Sequence, residues 1–580
     1  MHDGSAVARA YKRVLRSHDA HPIVATLLVA TLLSCWVYWS LVAHLRSSTP
    51  ADPDTALFVW SMRHAPNRVL HLHNPFVSTA IFATSGGANL AFNATAPLLG
   101  LLMYPVTAAL GPVASLNVLT IFTPALNTMA ARRLMRLVSG GSGLAVTVAA
   151  ALIGFSPLVM MHNGARLQLV FEALTLLLLS ELWVLARDRI AGRALDCKRV
   201  IAVGILVGAQ LWIGSEQLAI VAIIVAVGAA VALVLGRHEV SRRHFTIGRR
   251  DLWIAGAGSG SMLVVSSPFL VAYFFGSQRY TAGYHVPARP LFGLRLANLF
   301  TPTNVTLLHS HIPLAVKRLS LSSFRDEDTG YVGLFAIVAI MLILYTWRRR
   351  TRVQKGAVLV AGTCLLLALG PTVRWSGTGS GPAGPWRLIE RLPVVQEIVA
   401  NRLSMAMFLA LGVLVATAGN ASVIQADVFE ARRERSLRFL CWCIPILLVP
   451  GPARPPRTVS SAAESTLNRV CAGALAVTMP QRLEQEAMAW QARTDFAFNL
   501  YRGFAFRSST LPKGDRLLLD DIAEQGAGAT VDAADALAEL RSHGITCVLS
   551  PATAQDTIAD LEPTLGTPTV AGDVVVWPNP

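Results

Sequence analysis

Apolar runs of membrane-spanning length recur from residue 22 to residue 452, and that recurrence constrains the fold more than any other feature of the chain. A transmembrane helix needs about 20 mainly apolar residues. Eleven segments approach this: 22–45, 113–131, 144–161, 167–186, 200–214, 217–236, 252–275, 331–347, 356–371, 402–421 and 438–452. Only 14% of residues are charged, against about 25% in ordinary soluble domains. The expected fold is a polytopic α-helical membrane protein with about 11 transmembrane helices over 22–452, preceded by residues 1–21 and followed by a small α/β domain over 453–580.

The formal net charge of +16 does not form one patch, which argues against nucleic acid as a partner. It sits in short basic clusters between apolar runs, as topology signals do. Arg9, Lys12, Arg13 and Arg16 precede the first run, which is too long for a signal-peptide core and has no cleavage site after it. With the N-terminus in the cytoplasm, "ARRLMR", "RDRIAGRALDCKR", "GRHEVSRRHFTIGRR", "WRRRTRVQK" and "ARRER" all fall inside. The assignment holds if 94–111, broken by Pro97 and Pro105, is an interfacial or re-entrant segment. Loops 46–112, 276–330 and 372–401 and the tail are then extracytoplasmic. Five lysines among 50 basic residues suggest a GC-rich bacterial genome, so the expected location is the bacterial inner (plasma) membrane.

The tail opens with the linker "VPGPARPPRTVSSAAES" and then alternates short β-branched runs with helix-like stretches. Cys471 and Cys547 lie within it. A disulfide between them is open if the tail is extracytoplasmic, because sequence does not fix their separation. The spacing of cysteines and histidines suggests no zinc site, and no P-loop is present.

On this topology the unusual polar residues gather on the outer side. Asp52 and Asp54 follow the first span. His162 and Arg166 occupy the turn of "MMHNGARLQL". Glu216 sits at the tip of "WIGSEQLAI", where an acid so close to hydrocarbon is a functional candidate. Arg325, Asp326, Glu327 and Asp328 precede the eighth span, and Arg402 opens the tenth. The stretch "DTALFVWSMRHAPNRVLHLHNPF" suits an amphipathic helix lying on the membrane surface. An acid at its start is favoured by the helix dipole and is held in place. A fixed carboxylate beside the outer leaflet is what a general base needs when one substrate is a lipid.

Several motifs carry a family resemblance: "DTALFVW", the long "HLHNPFVSTAIFATSGGANLAFNATAPLLG" stretch, "WIGSEQLA", "DTGYVGLFAI" and "PVVQEIVANRLSMAMFLAL". In order and spacing they resemble bacterial, actinobacterial-type, membrane glycosyltransferases of the GT-C superfamily. That resemblance implies inverting transfer of a sugar from a polyprenyl-phosphate donor to a cell-wall glycan or glycolipid acceptor. The family places an Asp four residues before Phe and six before Trp, so Phe58 and Trp60 select Asp54 as base over Asp52. Glu216 then joins the catalytic set, orienting the acceptor or a cation. Arg166 and Arg402 face the leaving phosphate, with Asp52, His162 and Glu327 in substrate binding. Asn163 and Arg166 stand where the family is richer in His and Gly. Some relatives use a divalent cation (Mg or Mn), and the residues leave that open. Two other readings stay on the table: a non-catalytic membrane scaffold of envelope assembly, and a transporter of lipid-linked saccharide.

Overall fold

The computed structural model describes residues 22–580 except 53, 142, 237–247, 279–291, 315, 317–326, 328, 378, 393–394, 396–397, 421–427, 506–516 and 526–530. Arg325, Asp326, Asp328 and residues 1–21 therefore lie outside the described residues.

Helices occupy each of the eleven apolar segments. Six are long and apolar enough to cross a membrane by length and composition: Pro112–Ser139, Leu144–His162, Leu167–Ile190, Ser215–Leu235, Arg249–Phe275 and Ala400–Ala418. Pro22–Val37 and Leu334–Tyr345 are shorter apolar helices. The others fall short for visible reasons. Cys197–Leu211 has 15 residues and begins on Lys198 and Arg199, and Val428–Leu447 includes the charged "ARRER". Small residues let helices approach. A Cβ placed on Gly204 would collide with the Gly258 carbonyl, so Cys197–Leu211 and Arg249–Phe275 pack backbone against backbone.

The segment 94–111 forms two short helices, Pro97–Leu102 and Tyr104–Leu110, each with a proline in its first turn. Gly111, at φ +88°, then turns the chain into Pro112–Ser139.

The helix Thr55–Leu70 corrects the surface-helix expectation. Residues 55–62 are all buried, with Trp60 and Met62 fully so. The apolar positions meet protein rather than lipid, packing against the tail helix Glu484–Arg493 and against Pro97–Leu102 and Pro112–Ser139. Trp60 Nε1 donates to Gln491 Oε1 at 2.9 Å, and Arg63 Nε meets Asp495 Oδ1 at 2.7 Å.

The tail carries a five-stranded sheet in the order Asn499–Leu500, Leu475–Thr478, Cys547–Pro551, Val574–Pro578, Thr569–Ala571. The first three strands run parallel and the last two join antiparallel. Fully buried Val548, Leu549, Val574 and Val576 form its centre. Cys471 and Cys547 are joined in a disulfide. The sheet edge continues into the membrane domain: Leu500 N–H donates to Ala80 O at 2.8 Å, and Ala83 N–H to Leu500 O at 3.1 Å. Part of the expected linker is itself a strand, Arg457–Thr458, paired antiparallel with Ser48–Thr49.

Candidate functional site

Five charged side chains from five separate elements form one alternating chain of ion pairs. Asp54 precedes helix Thr55–Leu70, and its carboxylate makes no hydrogen bond to that helix's N–H groups. Instead Asp54 Oδ2 accepts from Arg166 Nε at 3.2 Å. Arg166 Nη1 donates to Glu327 Oε1 at 2.7 Å. Glu327 Oε1 also accepts from Arg402 Nη2 at 2.9 Å. Arg402 Nη1 then reaches both oxygens of Glu216 at 2.6 Å.

Four of the five sit at or next to the start of a helix, Glu327 being the exception. Arg166 precedes Leu167–Val170, Glu216 lies in the first turn of Ser215–Leu235, and Arg402 is in the 3-10 turn Ala400–Ser404 that leads into Met405–Asn420. Helix N-termini favour acids and disfavour arginines. Asp54 and Glu216 therefore face helix dipoles as well as guanidinium groups.

Glu327 is the centre. Its side chain is only 5% exposed, against 30% for Asp54. Burial alone would raise its pKa, but Arg402, His162 and Arg166 reverse this and hold the carboxyl well below the usual range. Asn401 Nδ2 donates to the Glu327 carbonyl at 2.6 Å and to Oε2 at 3.2 Å. His162 is buried, with Nε2 3.5 Å from Glu327 Oε2. Its Nδ1 faces the Leu158 carbonyl at 3.1 Å and carries a proton there, since a carbonyl only accepts.

The seven residues to which the resemblance gives site roles all lie among the described residues. Asp54, Arg166, Glu327, Arg402 and Glu216 are linked directly, and His162 adjoins Glu327. Asp52 stands at the edge, where Oδ1 accepts the Asp54 backbone N–H at 3.0 Å. That bond fixes the turn presenting Asp54. Sequence reasoning missed Asn401, whose one signal was adjacency to Arg402 at the head of an apolar run. It treated Asn163 only as a departure from a pattern, yet Asn163 bridges Tyr38 and Thr120.

Among the described residues no group of three or more His, Cys, Asp or Glu is placed to hold a metal ion. Asp54, Glu327 and Glu216 each direct a carboxylate oxygen at a guanidinium group.

A family described as "Domain of unknown function (DUF6311)" matches residues 68–381. No curated protein matches the sequence. Among solved structures, the fold is similar to the archaeal oligosaccharyltransferase AglB from Archaeoglobus fulgidus in complex with an inhibitory peptide and a dolichol-phosphate. That match has a TM-score of 0.48 and 12% identity, over 92% of this chain and 70% of the other. It is also similar to the arabinofuranosyltransferase AftD from Mycobacteria, with a TM-score of 0.47 and 13% identity over 96% of this chain and 40% of that one. ArnT from Cupriavidus metallidurans bound to undecaprenyl phosphate matches at a TM-score of 0.41 and 13% identity, covering 96% and 97%. These are likenesses in the overall course of the chain, at scores below 0.5.

Proposed function

The chain belongs to the family described as "Domain of unknown function (DUF6311)", and from that premise, which brings no activity with it, we propose that it is a membrane glycosyltransferase. It takes a sugar from a polyprenyl-phosphate donor and passes it to a glycan or glycolipid acceptor at the extracytoplasmic face of the bacterial plasma membrane. The observation that carries this reading is the chain Asp54–Arg166–Glu327–Arg402–Glu216, gathered from elements up to 348 residues apart in sequence (402 − 54). The motif resemblance to GT-C enzymes agrees with it.

The roles follow from exposure and bonding. Asp54 is the most open of the three carboxylates, at 30% against 22% for Glu216 and 5% for Glu327. It is the base. It takes the proton of an acceptor hydroxyl as that oxygen bonds to the anomeric carbon, and the carbon–oxygen bond to phosphate breaks, the electron pair leaving with the phosphate. Attack from the opposite face inverts the anomeric centre. Arg166 uses Nε and Nη1 on carboxylates, and its Nη2 remains for the leaving phosphate. Arg402 holds its end of the site against Glu216. Glu327 is a positioning residue that fixes both guanidinium groups, and Asp52 positions Asp54. Phosphate leaves readily, so positioning and charge stabilisation supply most of the acceleration.

A scaffold role has one observation in its favour: each guanidinium group is already paired with carboxylates. Sugar transfer decides between the two. Membranes from cells expressing wild type or Asp54→Asn are supplied with radiolabelled polyprenyl-phosphate sugars. Transfer by wild type that falls by about 10²-fold or more in Asp54→Asn, at equal protein level, supports the enzyme. Equal transfer by both removes Asp54 from catalysis.

A further inference from the structure

The loop between helices Arg352–Ala368 and Met405–Asn420 carries a short two-sided turn, residues 385–392. It starts as the 3-10 helix Pro385–Leu388. Glu390 N–H then donates to Trp386 O at 2.9 Å, and Leu392 N–H to Ile389 O at 2.9 Å, which carries the winding on. Winding at three to four residues per turn sorts the side chains by face. Trp386 is 3% exposed, and Ile389 packs against the core. Arg387, Leu388, Arg391 and Leu392 all face outward, Leu388 at 84% and Leu392 at 53% exposure. One face is anchored in protein. The other pairs two leucines with two guanidinium groups, and Glu390, the one acid of the turn, is only partly exposed.

The depth of the turn follows from its bonds. Gly370, at φ +79°, redirects the chain past the end of Arg352–Ala368. The Pro371 carbonyl then accepts from Gly384 N–H at 3.0 Å and from Arg387 Nε at 2.9 Å. The turn is therefore stapled three residues beyond a helix that fills the apolar segment 356–371 (371 − 368). Leu366, on the last turn of that helix, is 54% exposed. This is the level of lipid headgroups. Further along the same loop, Val399 N–H donates to Glu216 Oε1 at 3.3 Å, so the loop lies on the face of the membrane domain that carries the ion-pair chain.

Leucines this exposed gain nothing in water, and a polar rim around them marks a contact surface. At a bilayer surface they enter the acyl boundary while neighbouring arginines reach headgroup phosphate. We propose that residues 385–392 form a docking ridge for anionic phospholipid. Leu388 and Leu392 enter the leaflet on the side of the ion-pair chain, and Arg387 and Arg391 bind the headgroup. Charge complementarity selects the anionic lipid, because each basic residue near the surface favours it by about fivefold. Headgroup depth selects lipid over a soluble partner. The inference does not depend on the transferase reading. It gives a lipid partner to the loop that leads to Val399 and Arg402.

Photocrosslinking identifies what covers the ridge, without turnover. The full chain carrying Leu388→p-benzoylphenylalanine is placed in nanodiscs of equal phosphatidylcholine and phosphatidylglycerol and irradiated, and the adducts are weighed by mass spectrometry. Phospholipid adducts are expected, with phosphatidylglycerol exceeding phosphatidylcholine by about fivefold or more. Arg391→Ala in the same chain is expected to cut that ratio about two- to fivefold, and Arg391→Lys to keep most of it. Both positions are exposed, so these changes leave the core intact. The absence of lipid adducts overturns the proposal, as do equal yields from the two lipids or a ratio that Arg391→Ala leaves unchanged. Irradiation in native membranes tests the occupant. Adducts mainly with phosphatidylglycerol support the ridge, and adducts mainly with protein or with polyprenyl phosphate overturn it.

Discussion

Arg402 holds Glu216 through a single nitrogen, Nη1, which lies 2.6 Å from both carboxylate oxygens, while its Nη2 reaches Glu327 at 2.9 Å. One guanidinium group thus separates two acids that would otherwise repel. Arg402→Ala leaves both facing each other in a largely dry site. Breaking a buried pair in this way costs about 3–5 kcal/mol, because a charge is left uncompensated. Arg402→Lys keeps the charge, but one ammonium cannot span both acids in the same geometry. It is expected to fold with a smaller loss and to transfer sugar poorly. Thermal unfolding of the purified proteins checks the first expectation, and an Arg402→Ala protein as stable as wild type contradicts it.

Gln491 ties the tail to the membrane domain with three bonds. Its Oε1 accepts from Trp60 Nε1, and its Nε2 donates to the carbonyls of Ala80 at 2.9 Å and Phe498 at 2.8 Å. The side chain is fully buried, so water does not replace the lost partners. Gln491→Leu strands one donor and weakens two acceptors, at a cost of about 2–4 kcal/mol. Hydrogen exchange is expected to rise in Asn499–Leu500 and around residues 80–83 together. A rise in one alone means the two are not docked through Gln491.

The helix order was legible because apolar runs and basic clusters alternate along the chain. The site residues were legible because ionisable groups beside hydrocarbon are costly and therefore few. Their connections were not. Nothing local in "RDEDTG" says that Glu327 turns inward to meet two arginines and His162. The burial of residues 55–62 is not legible for a related reason. Their apolar face looks the same whether it meets lipid or a protein domain more than 400 residues later, and Trp60 meets Gln491. The strand Arg457–Thr458 was hidden inside a Pro-rich stretch, since a two-residue strand needs only its partner Ser48–Thr49.

The Cys471–Cys547 disulfide joins the end of helix Ser461–Val470 to the central strand Cys547–Pro551, across a sequence separation of 76. Cysteine pairs of this kind persist in oxidising compartments, which fits a tail outside the cytoplasm. Replacing both with serine is expected to destabilise the tail by about 2–4 kcal/mol. Protein from whole cells, alkylated before and after reduction, is expected to gain two labels on reduction. No gain means that the pair is reduced in the cell and puts the tail on the cytoplasmic side.

Glu484 gives the tail a pH dependence whose sign is fixed by burial. Desolvation raises its pKa from 4.5 to about 7; Arg502 opposes the shift and Asp520 adds to it. Arg502 Nε stands 2.7 Å from Glu484 Oε1, yet that oxygen has no aligned hydrogen bond, so the contact only partly offsets burial. The folded tail holds a proton that the unfolded chain gives up above its ordinary value. The stability this group contributes is therefore whole below about pH 4.5 and is lost as pH rises through about 7. A shift of this size amounts to about 2–4 kcal/mol across that window. Glu484→Gln cannot ionise. Its stability relative to wild type is expected to grow from pH 5 to pH 8, ending above wild type. Unfolding followed by fluorescence of the tail tryptophans, Trp490 and Trp577, across that range checks this. Parallel pH curves for the two proteins mean that Glu484 stays ionised when folded, and that Arg502 outweighs burial after all.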